Sequence, residues 1–496
     1  MKSSFQKQFR RLLATLACLL PAVMRLSAEP VDTTWMAELP VIELTYDEAA
    51  FNDDTFIPAT FTLHTVDTVR TLSCTVRHRG GTSLTYSKPN FALKFYDEEG
   101  ESKDVRLLGM RKDNYWILDA MASDYAKMRN RVSMDLWLDF SRPPYHQAEE
   151  PNAINGYRGR YVEVWVNGGY FGLFCLMERV DRKQLKLKKF APNADDSTTY
   201  HHRGLLYKAV NGSSKRTPYF LYQSNEPNDG KATYDGMQGE YPDVTEGEPW
   251  TWTPLRTKSI YFLAAYSGNY FQNNIGKRFD LPVFNDFMLF LDLLYANDNV
   301  GKNFLCWYYD QSSDDQRLGI TPWDLDTSWG RDYRGSRVSG ATELSNKSNY
   351  HTRMTAVYRG YADTLRIRYA ELRDTLWQEE RLCGYFDRYF ALFDSTGVWE
   401  RERSRWNVTP TDGSKKPLFI DLTTERDYIH HWIHDRLVLL DSLYAYEPPS
   451  AIRSVKVDGA GEEPVCYDLM GRRFVQTPAT QRKGLYILGR RKLMLR

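Results

Sequence analysis

The chain carries almost no net charge: 65 Lys and Arg stand against 64 Asp and Glu in 496 residues. That balance leaves no global field to gather nucleic acid or an anionic membrane, although a local basic groove stays open. Cysteine is sparse. Six are scattered at positions 18, 74, 175, 306, 383 and 466 with no C-x-x-C pair, so neither a zinc knuckle nor a disulfide framework is signalled. Cys74, Cys175 and Cys306 sit in apolar strand-like runs and read as buried small hydrophobes. No G-x-S-x-G occurs, which removes the usual nucleophile turn of a serine hydrolase. Past the N-terminus no stretch of eighteen apolar residues occurs, so no integral membrane span is expected there.

What is present points to a globular, multi-part, exported chain. With 42% hydrophobic and 14% aromatic residues, 496 positions suit two or three structural units. "MKSSFQKQFRR" is basic, and "LLATLACLLPAVM" (12–24) is apolar but too short to span a bilayer. With Ala28 at a plausible cleavage point, residues 1–28 read as a signal peptide. Cys18 is a poor lipidation site because the apolar run continues past it.

From about residue 40, short β-branched and aromatic runs alternate with turns: "PVIELTY", "ATFTLHTV", "TLSCTVRHRG", "NFALKFYD". "MRNRVSMDLWLDF" has helical spacing. Asn167-Gly168 between two strand-like runs predicts a hairpin. Gly168, Gly169 and Gly172 do not make a phosphate loop, because no helix follows them. Residues 190–280 read as an irregular insertion. "LPVFNDFMLFLDLLYAND" then predicts a helix opened by Pro282, with Phe284, Phe287, Met288, Leu291 and Leu294 on one face. "NFLCWYYD" and "RLGITPWDLD" predict a second hairpin, and helices follow to about residue 446.

The helix, the turn "ANDNVGKN" and the hairpin ending in "WDLD" place acid and amide groups on neighbouring loops. Magnesium takes only one or two protein carboxylates and fills its other positions with phosphate oxygens and water. Phosphoryl transfer needs an Asp to orient or deprotonate the acceptor hydroxyl, with an Asn and a further Asp on the metal. Asp298, Asn303 and Asp324 have that spacing, and Asp326 is able to share the metal role. Lys94, opposite Phe91, Leu93 and Phe95 on its strand, is the candidate phosphate cation, with Arg79 and Lys88 as rivals. His430 and His434 lie one helical turn apart but have no third ligand, so no zinc site is expected.

These pieces in order resemble the CotH kinase family, named for a spore coat protein. The matching stretches are "RGGTSLTYSKPNFALKF", "LLGMRKDNYWILDAMASDYAKMRN", "VEVWVNGGYFGLFCLMERVD", "LLYKAVNG", "LYANDNVGKNF" and "ITPWDLDTSWG", spread over roughly 40–440. The resemblance implies an α+β, two-lobed protein-kinase-like fold. A β-rich N-terminal lobe (about 40–180) would carry Lys94, and a mainly helical C-terminal lobe (about 280–446) would carry Asp298 and Asp324. It further implies transfer of phosphate from ATP, with Mg2+ (or Mn2+ or Ca2+), to a secreted or surface protein. Asp298 would be the catalytic acid-base residue, Asp324 and Asn303 metal ligands, and Glu178 would lie where a kinase hinge meets adenine. No H-R-D, D-F-G or G-x-G-x-x-G is present, so phosphate contacts and activation cannot be copied from ordinary kinases.

"EPPSAIRS" reads as a linker, which separates a kinase-like part at 29–447 from a tail at 448–496. The tail's "CYDLMGRRF", "KGLYIL" and "GRRKLMLR" resemble the C-terminal sorting signal of Bacteroidota type IX secretion. That implies a secretion machinery as partner and a periplasmic, surface or extracellular location, where ATP is scarce. Two further readings stay open. One is a non-catalytic adhesin or scaffold on the same fold, its acidic loops binding calcium or nothing. The other is a nucleotidyltransferase using the same site.

Overall fold

The computed structural model describes residues 39–50, 55–189, 203–210, 236–242, 252–344 and 348–448, with short strands at 191–192, 200–201, 233–234, 466–468, 473–474, 484–488 and 491–495. The leader expected at 1–28 lies outside these residues. Within the expected tail, the four short strands pair antiparallel as one small sheet.

Seven strands close a barrel. They are β1 (Val41–Tyr46), β2 (Ile57–His64), β3 (Val69–Arg79), β4 (Asn90–Phe95), β5 (Tyr115–Asp119), β6 (Gly159–Val166) and β7 (Gly169–Met177), in the order β1-β2-β3-β4-β5-β7-β6. Alternation turns Ile42, Leu44, Phe61, Val76, Phe91, Leu93, Phe95, Trp116, Val164 and Phe174 inward as one apolar core. Each such side chain contributes about 1.5–3 kcal/mol relative to an exposed one. The sequence predicts a β-rich region but not its closure. Closure comes from β1 running parallel to β6, Val41 opposite Glu163, a long-range pairing that no local pattern marks. The β6–β7 turn is as expected: Asn167 and Gly168 both take positive φ, 49° and 81°, as the favoured two-residue turn needs.

The second core is mainly helical. It includes α1 (Arg129–Phe140), α2 (Leu281–Leu294), α3 (Glu379–Thr396), α4 (Val398–Trp406) and α5 (Leu422–Leu443). Only one face of α2 was expected to be buried. Instead every residue from Val283 to Leu294 is buried, so the helix runs through the core. Its two acids are matched: Asp286 meets Arg368 at 2.7 Å, and Asp292 accepts from the Tyr444 hydroxyl. Beside it lies a sheet of β8 (Leu205–Ala209), β9 (Met237–Tyr241), β10 (Phe304–Tyr308) and β11 (Leu318–Pro322), in the order Thr233–Tyr234, β9, β8, β10, β11. The predicted β10–β11 hairpin is present. The reading of 190–280 as irregular fails at β8, which pairs with β10 through five residues in a central position. The content is therefore α+β. Cys74, Cys175, Cys306 and Cys383 are free and buried. His430 pairs with Asp387 and His434 with Glu379.

α4 is clamped to the barrel. Arg401 makes two 2.8 Å hydrogen bonds to Glu163, and Trp406 Nε1 donates to Phe171 O. Between them Lys88 Nζ meets Glu402 Oε1 at 2.6 Å with both side chains fully buried, and Leu173 N donates to the other carboxylate oxygen. Gly172, at φ +126°, lies where a Cβ would fall 2.3 Å from that same oxygen, so glycine is required there. A buried pair broken on one side leaves an uncompensated charge, which costs about 3–5 kcal/mol. Lys88→Met should therefore lower the unfolding free energy extrapolated from urea melts by an amount of that order, with a matching fall in the midpoint, and adding Glu402→Gln should restore most of it. Equal midpoints for wild type and Lys88→Met would remove this structural role.

Candidate active site

The pairing of four barrel strands arranges one wall of a cleft of ≈ 1430 Å³. Arg79 lies opposite Asn90, Arg77 opposite Ala92, Ala92 opposite Ile117, and Ile117 opposite Met177. Directly paired residues share a face, so this row turns away from the barrel core. Arg77, Arg79, Asn90, Tyr115, Ile117, Asp119 and Met177 line the cleft. The volume exceeds that of a typical small-molecule pocket and leaves room for a nucleotide and part of a second reactant.

The opposite wall is built by the loops after α2 and β11. α2 ends where Tyr295 turns left-handed at φ 50°, and a 3-10 turn, Asn297–Val300, brings Asp298 to the cleft. Lys302 Nζ lies 3.0 Å from Asp298 Oδ2, and Asn303 Nδ2 donates to the same atom at 2.9 Å. Asn299, fully buried, donates to the carbonyls of Asn303 (2.9 Å) and Trp323 (2.8 Å). One amide thus fastens the Asp298 loop to the Asp324 loop. Asn303 and Asp324 both take positive φ, 58° and 55°, a conformation that short polar side chains tolerate better than most.

A second clasp reaches the barrel. Asn130, at the start of α1, donates from Nδ2 to Asp119 Oδ2 at 3.1 Å. Its Oδ1 accepts from Leu325 N at 3.1 Å and Tyr157 OH at 2.7 Å. Asp119 on β5 is thereby held against the Asp324–Asp326 turn, while Asp326 accepts from the Ser123 hydroxyl. Asp324 touches solvent inside the cleft but has protein on every side. That surrounding protein raises its carboxyl above the usual range, and repulsion from Asp119 and Asp298 adds to it, while Lys208 and Arg79 oppose it. Asp326 is raised too, first by burial and then by Asp324.

The cations face these acids. Arg79 and Lys208 line the cleft, and neither side chain makes an ion pair or hydrogen bond with a described residue. Lys208 lies on β8 with its ammonium 5.6 Å from the Trp323 ring centre. Burial lowers its pKa, Glu240 and Asp324 raise it, and Arg79 and Arg179 lower it further. Arg179 stacks over Tyr115 at 4.2 Å and lies 3.9 Å from Glu240.

Of the residues singled out from sequence, Asp298, Asn303, Asp324, Asp326 and Arg79 line one cleft. Three others do not. Lys94 faces the same side of β4 but sits one register step further, opposite Tyr115, with its ammonium 4.5 Å from the Phe56 ring centre. Lys88 is the buried partner of Glu402. Glu178 follows Met177 on the opposite face and is buried, accepting from Arg111 N, Arg158 and Gln184. Its carboxylate is fully engaged in holding the chain where it leaves the barrel. The residues that sequence reading missed are Asp119, Asn130, Arg179 and Lys208. For Asp119 a signal existed: it continues the Tyr115, Ile117 alternation of "YWILD". Lys208 had none, because it lies in the stretch taken for an insertion.

The donor set is carboxylate and amide oxygen, which suits magnesium, manganese or calcium rather than zinc. Among the described residues no group of three or more His, Cys, Asp and Glu side chains is arranged to hold an ion unaided. The mutual repulsion among Asp119, Asp324 and Asp326 is what a dication would relieve.

A family model described as CotH kinase protein matches residues 76–440. No curated protein matches the chain.

Losing one charge-assisted hydrogen bond costs about 1.5–3 kcal/mol, or about ten- to a hundredfold in affinity. Arg79→Met and Lys208→Met should each weaken binding of magnesium triphosphate by about that factor in calorimetry. Lys94→Met should stay within about twofold of wild type, since one register step removes it from the cleft. The reverse ranking would reinstate Lys94.

Proposed function

The chain belongs to the CotH kinase family, and we propose that it is a metal-dependent phosphotransferase that moves a phosphoryl group from ATP to a hydroxyl of a secreted or surface protein. The observation that carries this reading is the Asn299 tie, which sets Asp298 and Asn303 beside Asp324 in a cleft also lined by Arg79 and Lys208, neither of them in an ion pair with a described residue. The barrel and the helical part flank the cleft as the two lobes of a kinase-like fold would. The basic and apolar leader and the C-terminal tail support export.

Each residue then has a task. Adenine fits the apolar end of the cleft, between Ile117 and Met177 on one side and Leu305 and Trp323 on the other. Arg79 and Lys208 draw the phosphate oxygens toward the acids. Asp324, with Asn303 and Asp326, would hold the divalent ion, which supplies charge neutralisation at the phosphates. Asp298 accepts the proton as the acceptor oxygen forms its bond to the γ-phosphorus and the bond to the bridging β–γ oxygen breaks, releasing ADP. Lys302 and Asn303 orient the Asp298 carboxylate. A product heavier by a nucleotide rather than a phosphate would identify nucleotidyl transfer at the same site.

Asp324→Asn removes the charge facing the ion, whereas Asp298→Asn removes the proton acceptor. Asp324→Asn should lose magnesium-dependent nucleotide affinity and activity together. Asp298→Asn should bind magnesium nucleotide nearly normally and transfer phosphate about a hundred- to ten-thousandfold more slowly. Calorimetry with a non-hydrolysable ATP analogue beside single-turnover transfer separates the two, and wild-type transfer by both would leave the scaffold reading.

A further inference from the structure

We propose that the outer end of the cleft is a docking surface for an acidic protein segment, which makes the acceptor Asp- and Glu-rich around the modified residue; the acceptor assignment rests on the phosphotransfer reading. The cleft does not end at its acids. Beyond Asp326 it is lined by Tyr86, Tyr333, Arg334, Lys415 and Lys416. Arg334, Lys415 and Lys416 are exposed, and none makes an ion pair with a described residue. Three exposed cations from two separate segments thus gather at one mouth, a charge pattern complementary to an acidic segment.

The surface is rigid. Arg334 sits at the tip of a tight turn that begins four residues after Thr327, on the segment leaving the acidic loop. Arg331 and Arg337 pair across it, and Asp332 Oδ1 accepts from Arg334 N and Ser336 N. Arg331 is anchored below by the buried Glu425. Tyr333, 63% exposed, stands beside Arg334 at the tip. Lys415 and Lys416 belong to a strap returning from the helical part to the barrel. Lys415 pairs in parallel with Tyr86, Ser87 N donates to Lys415 O at 2.8 Å, and Leu418 N donates to Ala122 O at 2.9 Å.

The two carriers touch. Gly335 takes φ +77°, and a Cβ there would lie 2.7 Å from Leu418 Cδ1. Arg334 and the two lysines therefore form one patch on fixed backbone. The acids close by are spoken for: Asp332 holds the turn and Asp412 caps Ser414. The patch adjoins the acids, because Tyr86, which pairs with Lys415, lines the same cleft as Asp326. A segment lying across it would run on toward Asp298.

The test uses the mature full-length protein and three fluorescein-labelled peptides with one central Ser, flanked by Glu, by Gln or by Lys. The Glu peptide should bind about tenfold more tightly than the Gln peptide in anisotropy at low salt, and that margin should shrink as salt rises. Arg334→Glu with Lys416→Glu should abolish or invert the preference while thermal stabilisation by magnesium ATP persists. In transfer assays that variant should raise KM for the Glu peptide and leave kcat near wild type. Equal or better binding of the Lys peptide, or a preference untouched by charge reversal, would overturn the proposal. A clear Glu preference with no magnesium- and ATP-dependent transfer to any peptide would keep the docking surface and sink the phosphotransfer reading instead.

Discussion

The side-chain amide of Asn299 is buried below the cleft floor and donates to carbonyls on both acidic loops. The geometry of the site depends on that one group. Asp298 and Asp324 belong to separate loops that repel each other, and nothing in the two carboxylates would bring them together. The backbone at Asn303 and Asp324 is left-handed, a conformation that costs free energy and persists only where surrounding contacts over-determine it. Asn130 repeats the device toward the barrel, so that Asp119 joins the same cluster.

Charge in this molecule divides into two populations. One is consumed by the fold: Lys88 with Glu402, Arg129 with Asp124 and Glu425, Arg158 with Glu178. The carboxylate of each pair is buried, and the pairs bind barrel, helices and loops to one another. Each is expensive to break on one side and adds little over a well-packed apolar replacement. The other population faces the cleft. There, carboxylates from the barrel and from the loops after α2 and β11 share the cleft with Arg79 and Lys208, neither of which makes an ion pair with a described residue. The contrast separates charges consumed by packing from charges that line the cleft. Lys88 and Glu178, plausible by position in the chain, are of the first kind, while Lys208 is of the second.

The cleft is also varied in its lining. Ile117, Met177, Leu305 and Trp323 supply apolar lining, the acids come from three segments, and Arg334, Lys415 and Lys416 add a basic part. The rigid attachment of α4 and of the strap at Lys415 to the barrel fixes the two walls relative to each other. A site of this kind is preorganised, with its ordering cost met during folding rather than at binding.

Sequence alone determined the elements and the acidic half of the site. Asn167-Gly168 specified its turn, the "LPVFNDFMLFLDLL" helix and the β10–β11 hairpin formed where periodicity placed them, and Asp298, Asn303 and Asp324, legible on two short segments, line one cleft once the Asn299 amide ties those segments. Tertiary structure alone decided barrel closure, the burial of α2 on every side, and the identity of the cations. Lys94 and Arg79 stand on the same outer face of the barrel, and only the cross-strand register puts one in the cleft and the other beside Phe56. Lys208 reaches the acids because β8, from a region without clear periodicity, pairs with β10 about a hundred residues away. Local pattern fixes which face a side chain takes; which face meets which is settled by long-range pairing, and that information is spread over the whole chain.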